Sequence, residues 1–333
     1  MTQLISNLAA AGLPVASLGN ERILVSEFGG RILGLLPDGE TNLFWVNPAT
    51  LLRGSVSEWR AGRGWSNLGG ERAWISPEID TNVPDPARFA ASYAVPAALD
   101  PGAYTLRREA DGLVLAQEFS LRWLRTSQTI TLALERAIRV VDTPPFSVPA
   151  GVSFAGYSLR SRLTTRVPLG VARPAVWNLI QIPGGGTVIA KVRAGAHPVA
   201  FINAAQWTSV GHTIRTAART TISFKWSLRA SQCAGRFMYL QPFADGRAGL
   251  VVRDFPVAEE AEYADCPCHA PHDTGHMCQV YIDDGGLGGF AELEFHAPSL
   301  RHGGRETNET TCSTWGFIGP VEAILDLSET LAE

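Results

Sequence analysis

Long apolar runs are missing from this sequence of 333 residues. None approaches the roughly 18 residues that a membrane-spanning helix needs, which argues against a helical membrane protein. Lysine is scarce. Lys191 and Lys225 are the only two, and arginine supplies the rest of the 28 basic residues. That bias reads as the composition of a GC-rich genome. Positive charge is not in excess either: the net charge is -4 and the pI about 6.0, so no bulk field invites a nucleic acid. Cysteine is limited to five residues, an odd number, which reads as thiols or metal ligands rather than a disulfide frame. Residues 1–15 lack the basic start of a signal peptide and are interrupted by Asn7, Gly12 and Pro14, so a cytoplasmic location is expected. There is no fixed-period repeat, which argues against a propeller. There is no G-x-S-x-G nucleophile turn. Gly184-Gly185-Gly186 lacks the Lys-Ser/Thr of a phosphate loop and reads as a hairpin turn.

Strand patterns fill the space left by these exclusions. With 45% hydrophobic residues the chain can bury a core. Apolar and polar residues alternate over 22–28, 32–36 and 42–46, with Gly29-Gly30 and Pro37-Asp38-Gly39 between them, as in a β-meander. Segments 104–109 and 113–119 flank Asp111-Gly112 as a hairpin, and Asp245-Gly246 marks another. The pattern predicts about fifteen strands spread along the chain and two or three helices. One helix lies near the start, over 2–11. Another closes the chain over 321–332, opened by Pro320. Nothing alternates strand with helix and no Ser/Gly linker divides the chain. The expectation is therefore one all-β domain over 1–333, an antiparallel sandwich with a few short helices.

Three segments could carry chemistry. Residues 54–86 read as a Gly- and Trp-rich loop in which Trp59, Trp65 and Trp74 either contact a ligand or pack against the sandwich. In the strand 290–296, Ala291, Leu293 and Phe295 share one face, while Glu292, Glu294 and His296 share the other at about 7 Å intervals. Two carboxyls and an imidazole on one face can serve as an acid/base set, since proximity raises one carboxyl pKa. The alternative is an ordinary solvated face. Gln279, Tyr281 and Asp283 share a face of the preceding strand and would complete the site if the two strands pair. The segment 266–278 holds Cys266, Cys268, His272, His276 and Cys278, a ligand-rich loop compatible with structural zinc or, equally, with free thiols.

Several segments in order resemble the galactose-mutarotase-like (aldose 1-epimerase-like) superfamily. They are Glu27-Phe28-Gly29-Gly30-Arg31-Ile32, Asn42-Leu43-Phe44-Trp45-Val46-Asn47-Pro48, Gly69-Gly70-Glu71-Arg72-Ala73-Trp74-Ile75-Ser76-Pro77-Glu78, Val176-Trp177-Asn178-Leu179 and Glu292-Leu293-Glu294. The resemblance spans most of the chain. It implies a β-supersandwich with a sugar-sized cleft on one sheet. It also implies a Glu on a late strand as base on the anomeric hydroxyl, here Glu294; Glu292 or His296 as its partner and Arg72 as a substrate contact are expected from their own chemistry, not from the resemblance. The superfamily's acid is a His three residues before the aromatic of an aromatic-Asn-Leu triplet. With Trp177-Asn178-Leu179 as that triplet, the position holds Pro174.

Three readings follow. The first is an epimerase/mutarotase-like enzyme acting on a sugar or acidic sugar, with no cofactor required, its substrate held by Arg72, Trp74, Trp59, Trp65, Tyr281 and Asp283. The second is a carbohydrate-binding protein without catalysis, which the Pro174 departure favours. The third is a metal-dependent enzyme built on the Cys/His loop. The expected partner is a small carbohydrate, with no nucleic acid or membrane; oligomeric state is left open.

Overall fold

The computed structural model describes residues 2–57, 65, 67–301 and 306–333. Trp59 lies outside the described residues. Nineteen strands form two antiparallel sheets among the described residues. The nine-stranded sheet runs Ala16–Leu18, Ile23–Ser26, Arg31–Leu35, Glu71–Ser76, Ala175–Pro183, Phe290–His296, His276–Ile282, Phe224–Arg229 and Val199–Ile202. The ten-stranded sheet has Thr208–Val210 and Thr105–Glu109 at its edges. Its central strands include Cys233–Pro242, Arg247–Asp254, Thr307–Pro320, Ser153–Thr165 and Gln128–Val140. Alternating apolar residues of the two inner faces fill the space between the sheets, as sandwich packing requires. Helix Val321–Ala332 covers part of the ten-stranded sheet's other face through Ile324, Leu327 and Leu331.

The two predicted helices and both predicted hairpins are present: Gln3–Ala10, Val321–Ala332, Thr105–Glu109 with Gly112–Trp123, and Cys233–Pro242 with Arg247–Asp254. Three local expectations are corrected. Residues 71–76 are not loop but a central strand, every residue of which is buried. A strand covered on both sides loses the alternation that would reveal it. Residues 42–46 make no strand; only Val46 forms an isolated bridge, to Gly69. Gly184–186 is not a hairpin turn, because Ala175–Pro183 and Thr187–Val192 belong to different sheets. The three glycines carry the chain across the sandwich. A side chain on Gly186 would collide with the Leu240 carbonyl at 2.3 Å.

Candidate functional site

Glu71 fixes which way its strand faces. Its carboxylate meets Arg136, Arg253 and Tyr157, all from the other sheet, so it points inward. Alternation then turns Arg72 and Trp74 to the outer face. The strand register brings residues distant in sequence into rows on that face. One row is Arg72, Leu179, Glu294, Gln279 and Ser227. The next is Gln181, Glu292, Tyr281 and Lys225, and a third pairs Trp74, Trp177 and His296. Residues between strands fold over this face. Glu78, Tyr93 and Asp100 come from the stretch after Ser76, and Asp265 from the connection leading to His276.

Glu294 lies at the centre and is fully buried. Its Oε2 accepts from Trp177 Nε1 at 2.7 Å and lies 2.9 Å from Lys225 Nζ. Among the described residues its Oε1 has no hydrogen-bond partner. Burial pushes the carboxyl up to about 8 against the opposing pull of Lys225. Burial alone would lower Lys225, yet Glu294, Glu78 and Asp265 together hold it above the usual lysine value. Lys225 therefore stays charged, and Glu294 is the member of the pair that exchanges a proton near neutral pH. Lys225 also sits over the Trp177 ring, 4.5 Å from its centroid.

His296 stacks on Trp177, with ring centroids 5.6 Å apart and planes 18° from parallel. Its Nε2 is 3.7 Å from Asp265 Oδ2, and among the described residues neither ring nitrogen has a hydrogen-bond partner. Burial, then the charge of Lys225, keeps the imidazole neutral, well below its ordinary pKa. Glu292 is held differently. Its Oε1 accepts from Arg72 Nη2 at 2.8 Å and Gln181 Nε2 at 2.9 Å. Its pairing with Arg72 orients that guanidinium on the sheet face.

The aromatic candidates form a wall. Trp65, Trp74 and Trp177 meet edge to face at about 5.5 Å. Trp65 and Trp74 both donate their indole N–H to Asp100 Oδ2, at 2.9 and 3.1 Å, and Arg31 reaches the same oxygen at 2.5 Å. Arg72 covers Trp74 at 4.1 Å, so that ring is no open stacking platform. Tyr281 and Asp283 do lie on a strand paired with 290–296. Asp283, however, accepts backbone N–H groups of Gly285, Leu287 and Gly289 and is committed to the hairpin turn.

The five Cys/His candidates are not gathered into one set. Cys278 turns inward to Cys233, with sulfurs 2.9 Å apart. His276 turns to Ser227 and Asp273, Cys266 is buried, and His272 is exposed. Among the described residues no group of three or more His, Cys, Asp or Glu side chains is placed to hold a metal ion. The connection serves the site through another residue, Asp265, whose Oδ1 accepts the Glu78 N–H at 3.0 Å and whose Oδ2 accepts from Gln279. Lys225, Glu78, Tyr93 and Asp265 were not expected from sequence. Lys225 had one visible signal: it is one of two lysines kept in an arginine-rich chain.

Known structures with this arrangement of sheets were found by superposition. A galactose mutarotase-like protein from Lactobacillus casei ATCC 334 aligns at a TM-score of 0.51 and 9% identity, over 91% of this chain and 99% of that one. The fold is that of the galactose mutarotase-like proteins. A "putative aldose 1-epimerase" from Klebsiella pneumoniae subsp. pneumoniae MGH 78578 aligns at 0.47 and 8% identity, over 93% of this chain and 80% of that one. The 4-alpha-glucanotransferase from Thermococcus litoralis aligns at 0.38 and 10% identity, over 91% of this chain and 37% of its own. No protein-family profile and no curated protein sequence matches the chain. In this mutarotase-like sandwich, Pro174 is buried just before the strand Ala175–Pro183, and its carbonyl accepts the Leu300 N–H at 2.8 Å. Among the described residues no helix is long and apolar enough to cross a membrane.

Proposed function

We propose that this chain binds a small sugar on the outer face of its nine-stranded sheet and interconverts its anomers, as an aldose 1-epimerase-like isomerase. One observation carries the reading. Glu294 has one oxygen anchored by two donors and the other unpartnered in a buried, polar face. A general base needs that arrangement: a fixed carboxyl with one oxygen to receive a proton and a pKa near working pH. Glu294 takes the anomeric hydroxyl proton, the ring opens at the C1–O5 bond, and the chain recloses on the other face of C1. His296 lies two residues along the same strand face, about 7 Å away, and donates a hydrogen bond to the ring oxygen. Held by Glu292, Arg72 presents donors and Gln181 an acceptor oxygen to the sugar's hydroxyls. The unpartnered buried atoms on this face include Arg72 Nε and Nη1, Gln181 Oε1 and Gln279 Oε1. A polyhydroxylated ligand, able to donate and accept at every carbon, satisfies such a mixed set.

Anomeric exchange followed by NMR across a sugar panel tests the reading. The wild type should accelerate exchange for at least one sugar, and Glu294→Gln should lose about 10²- to 10⁴-fold of that rate while keeping its fold. Full activity in Glu294→Gln would remove Glu294 from the chemistry. Binding without any acceleration by the wild type would favour the second reading, a carbohydrate-binding protein, which Pro174 at the superfamily's acid position supports.

A further inference from the structure

We infer that the sugar taken by this site carries an ammonium group, received between Glu78, Asp265 and Glu294; the inference rests on the carbohydrate reading above. The pairing of charges points there. Arg72 is matched to Glu292, and Arg31 to Asp100, one cation to one carboxylate in each case. Lys225 is alone before three carboxyls. It lies 2.9 Å from Glu294 and 3.8 Å from Glu78, and it feels the charge of Asp265. All four side chains are buried or nearly so. Three buried carboxyls face one ammonium, and burial raises all three toward the protonated form; a second cation at the cluster would let them ionise.

Hydrogen-bonding capacity is divided the same way. Near Lys225 the unpartnered side-chain acceptors are Glu294 Oε1, Gln279 Oε1 and one ring nitrogen of neutral His296, itself 1% exposed, whose other nitrogen carries a proton. At the other end of the row Arg72 offers two unpartnered donors, Nε and Nη1, beside the unpartnered Gln181 Oε1 on the same Glu292. An ammonium group has three donors and no acceptor. It satisfies the first end, and the sugar's oxygens satisfy the second. A uronate or sugar phosphate would instead bring a like charge to the carboxyl cluster. A pocket of about 140 Å³ opens at Glu78, the outermost carboxyl of the cluster, between Phe89 and Phe201.

The test is a calorimetric comparison of matched sugars on the full chain: glucose and galactose, their 2-amino-2-deoxy and 6-amino-6-deoxy forms, the N-acetylated amino sugars and the uronic acids. At least one amino sugar should bind ten-fold or more tightly than its parent hexose. N-acetylation should abolish the gain, and the uronic acid should bind more weakly than the parent. In Glu78→Gln the ratio of amino-sugar to parent affinity should collapse to a few-fold, and Asp265→Asn gives a second variant should the first fail to fold. Parent hexoses that bind as tightly as every amino form overturn the inference and leave the carbohydrate reading standing. Silence from the whole panel overturns both.

Discussion

At the residue scale the decisive pair is Glu294 and Lys225. In the unfolded chain the Glu294 carboxyl titrates near its ordinary value of 4.5, and in the folded protein near about 8. Between those values the folded state keeps a proton the unfolded state has lost, so stability falls as pH rises through that window, by up to about 1.4 kcal/mol per unit from this group. Glu78 and Asp265, raised by burial, act in the same direction. The melting temperature of the wild type should therefore fall from pH 5 to pH 8, and Glu294→Gln should flatten the fall without abolishing it. Identical slopes in the two proteins would contradict the assignment. Lys225 opposes the rise at Glu294. Lys225→Met should move the ionisation of Glu294 to still higher pH, so the pH–rate profile of anomeric exchange shifts to the alkaline side and the rate at pH 7 drops. A flexible ammonium can lie between three carboxyls where a planar guanidinium would pair with one, which explains a lysine here in a chain with only one other, Lys191.

At the element scale the strand Phe290–His296 was legible in full, because a half-polar strand keeps its period of two. Glu292, Glu294 and His296 were readable on one face for that reason. The strand Glu71–Ser76, separated from it by Ala175–Pro183, was not, since the adjacent charges Glu71 and Arg72 point to opposite faces and break the apolar–polar alternation. The lateral rows were also invisible. Arg72 lines up with Leu179 and Glu294 through pairings among strands more than a hundred residues apart, and local sequence does not encode such a register. Asp283 shows the opposite limit: its side chain shares a strand face with Tyr281, but the turn claims it. Asp283→Ala leaves the N–H groups of Gly285, Leu287 and Gly289 without their acceptor and should cost about 1–3 kcal/mol in urea unfolding. Sugar affinity should be unchanged, and a large loss of affinity at full stability would return Asp283 to the ligand.

At the scale of the whole molecule, the two sheets meet through a charged cluster as well as an apolar core. Glu71 of the nine-stranded sheet lies between Arg136 and Arg253 of the ten-stranded sheet, at 3.2 and 2.9 Å, and Tyr157 donates to its other oxygen. All four side chains are fully buried. Two guanidiniums and one carboxylate are a costly way to join sheets, because desolvation offsets most of the attraction. Removing only the carboxylate is worse, since both cations then stay buried without it. Glu71→Gln should cost about 3–5 kcal/mol in urea unfolding. Replacing all three, Glu71→Leu with Arg136→Met and Arg253→Met, should instead be neutral or stabilising by about 1–4 kcal/mol. What the cluster supplies is position. Glu71 immediately precedes Arg72, so fixing it against the opposite sheet fixes the strand that carries Arg72 to Glu292. The triple variant should thus remain folded and lose sugar affinity, whereas a merely structural cluster would leave affinity intact. Stability measured alongside affinity in the same variant separates the two outcomes.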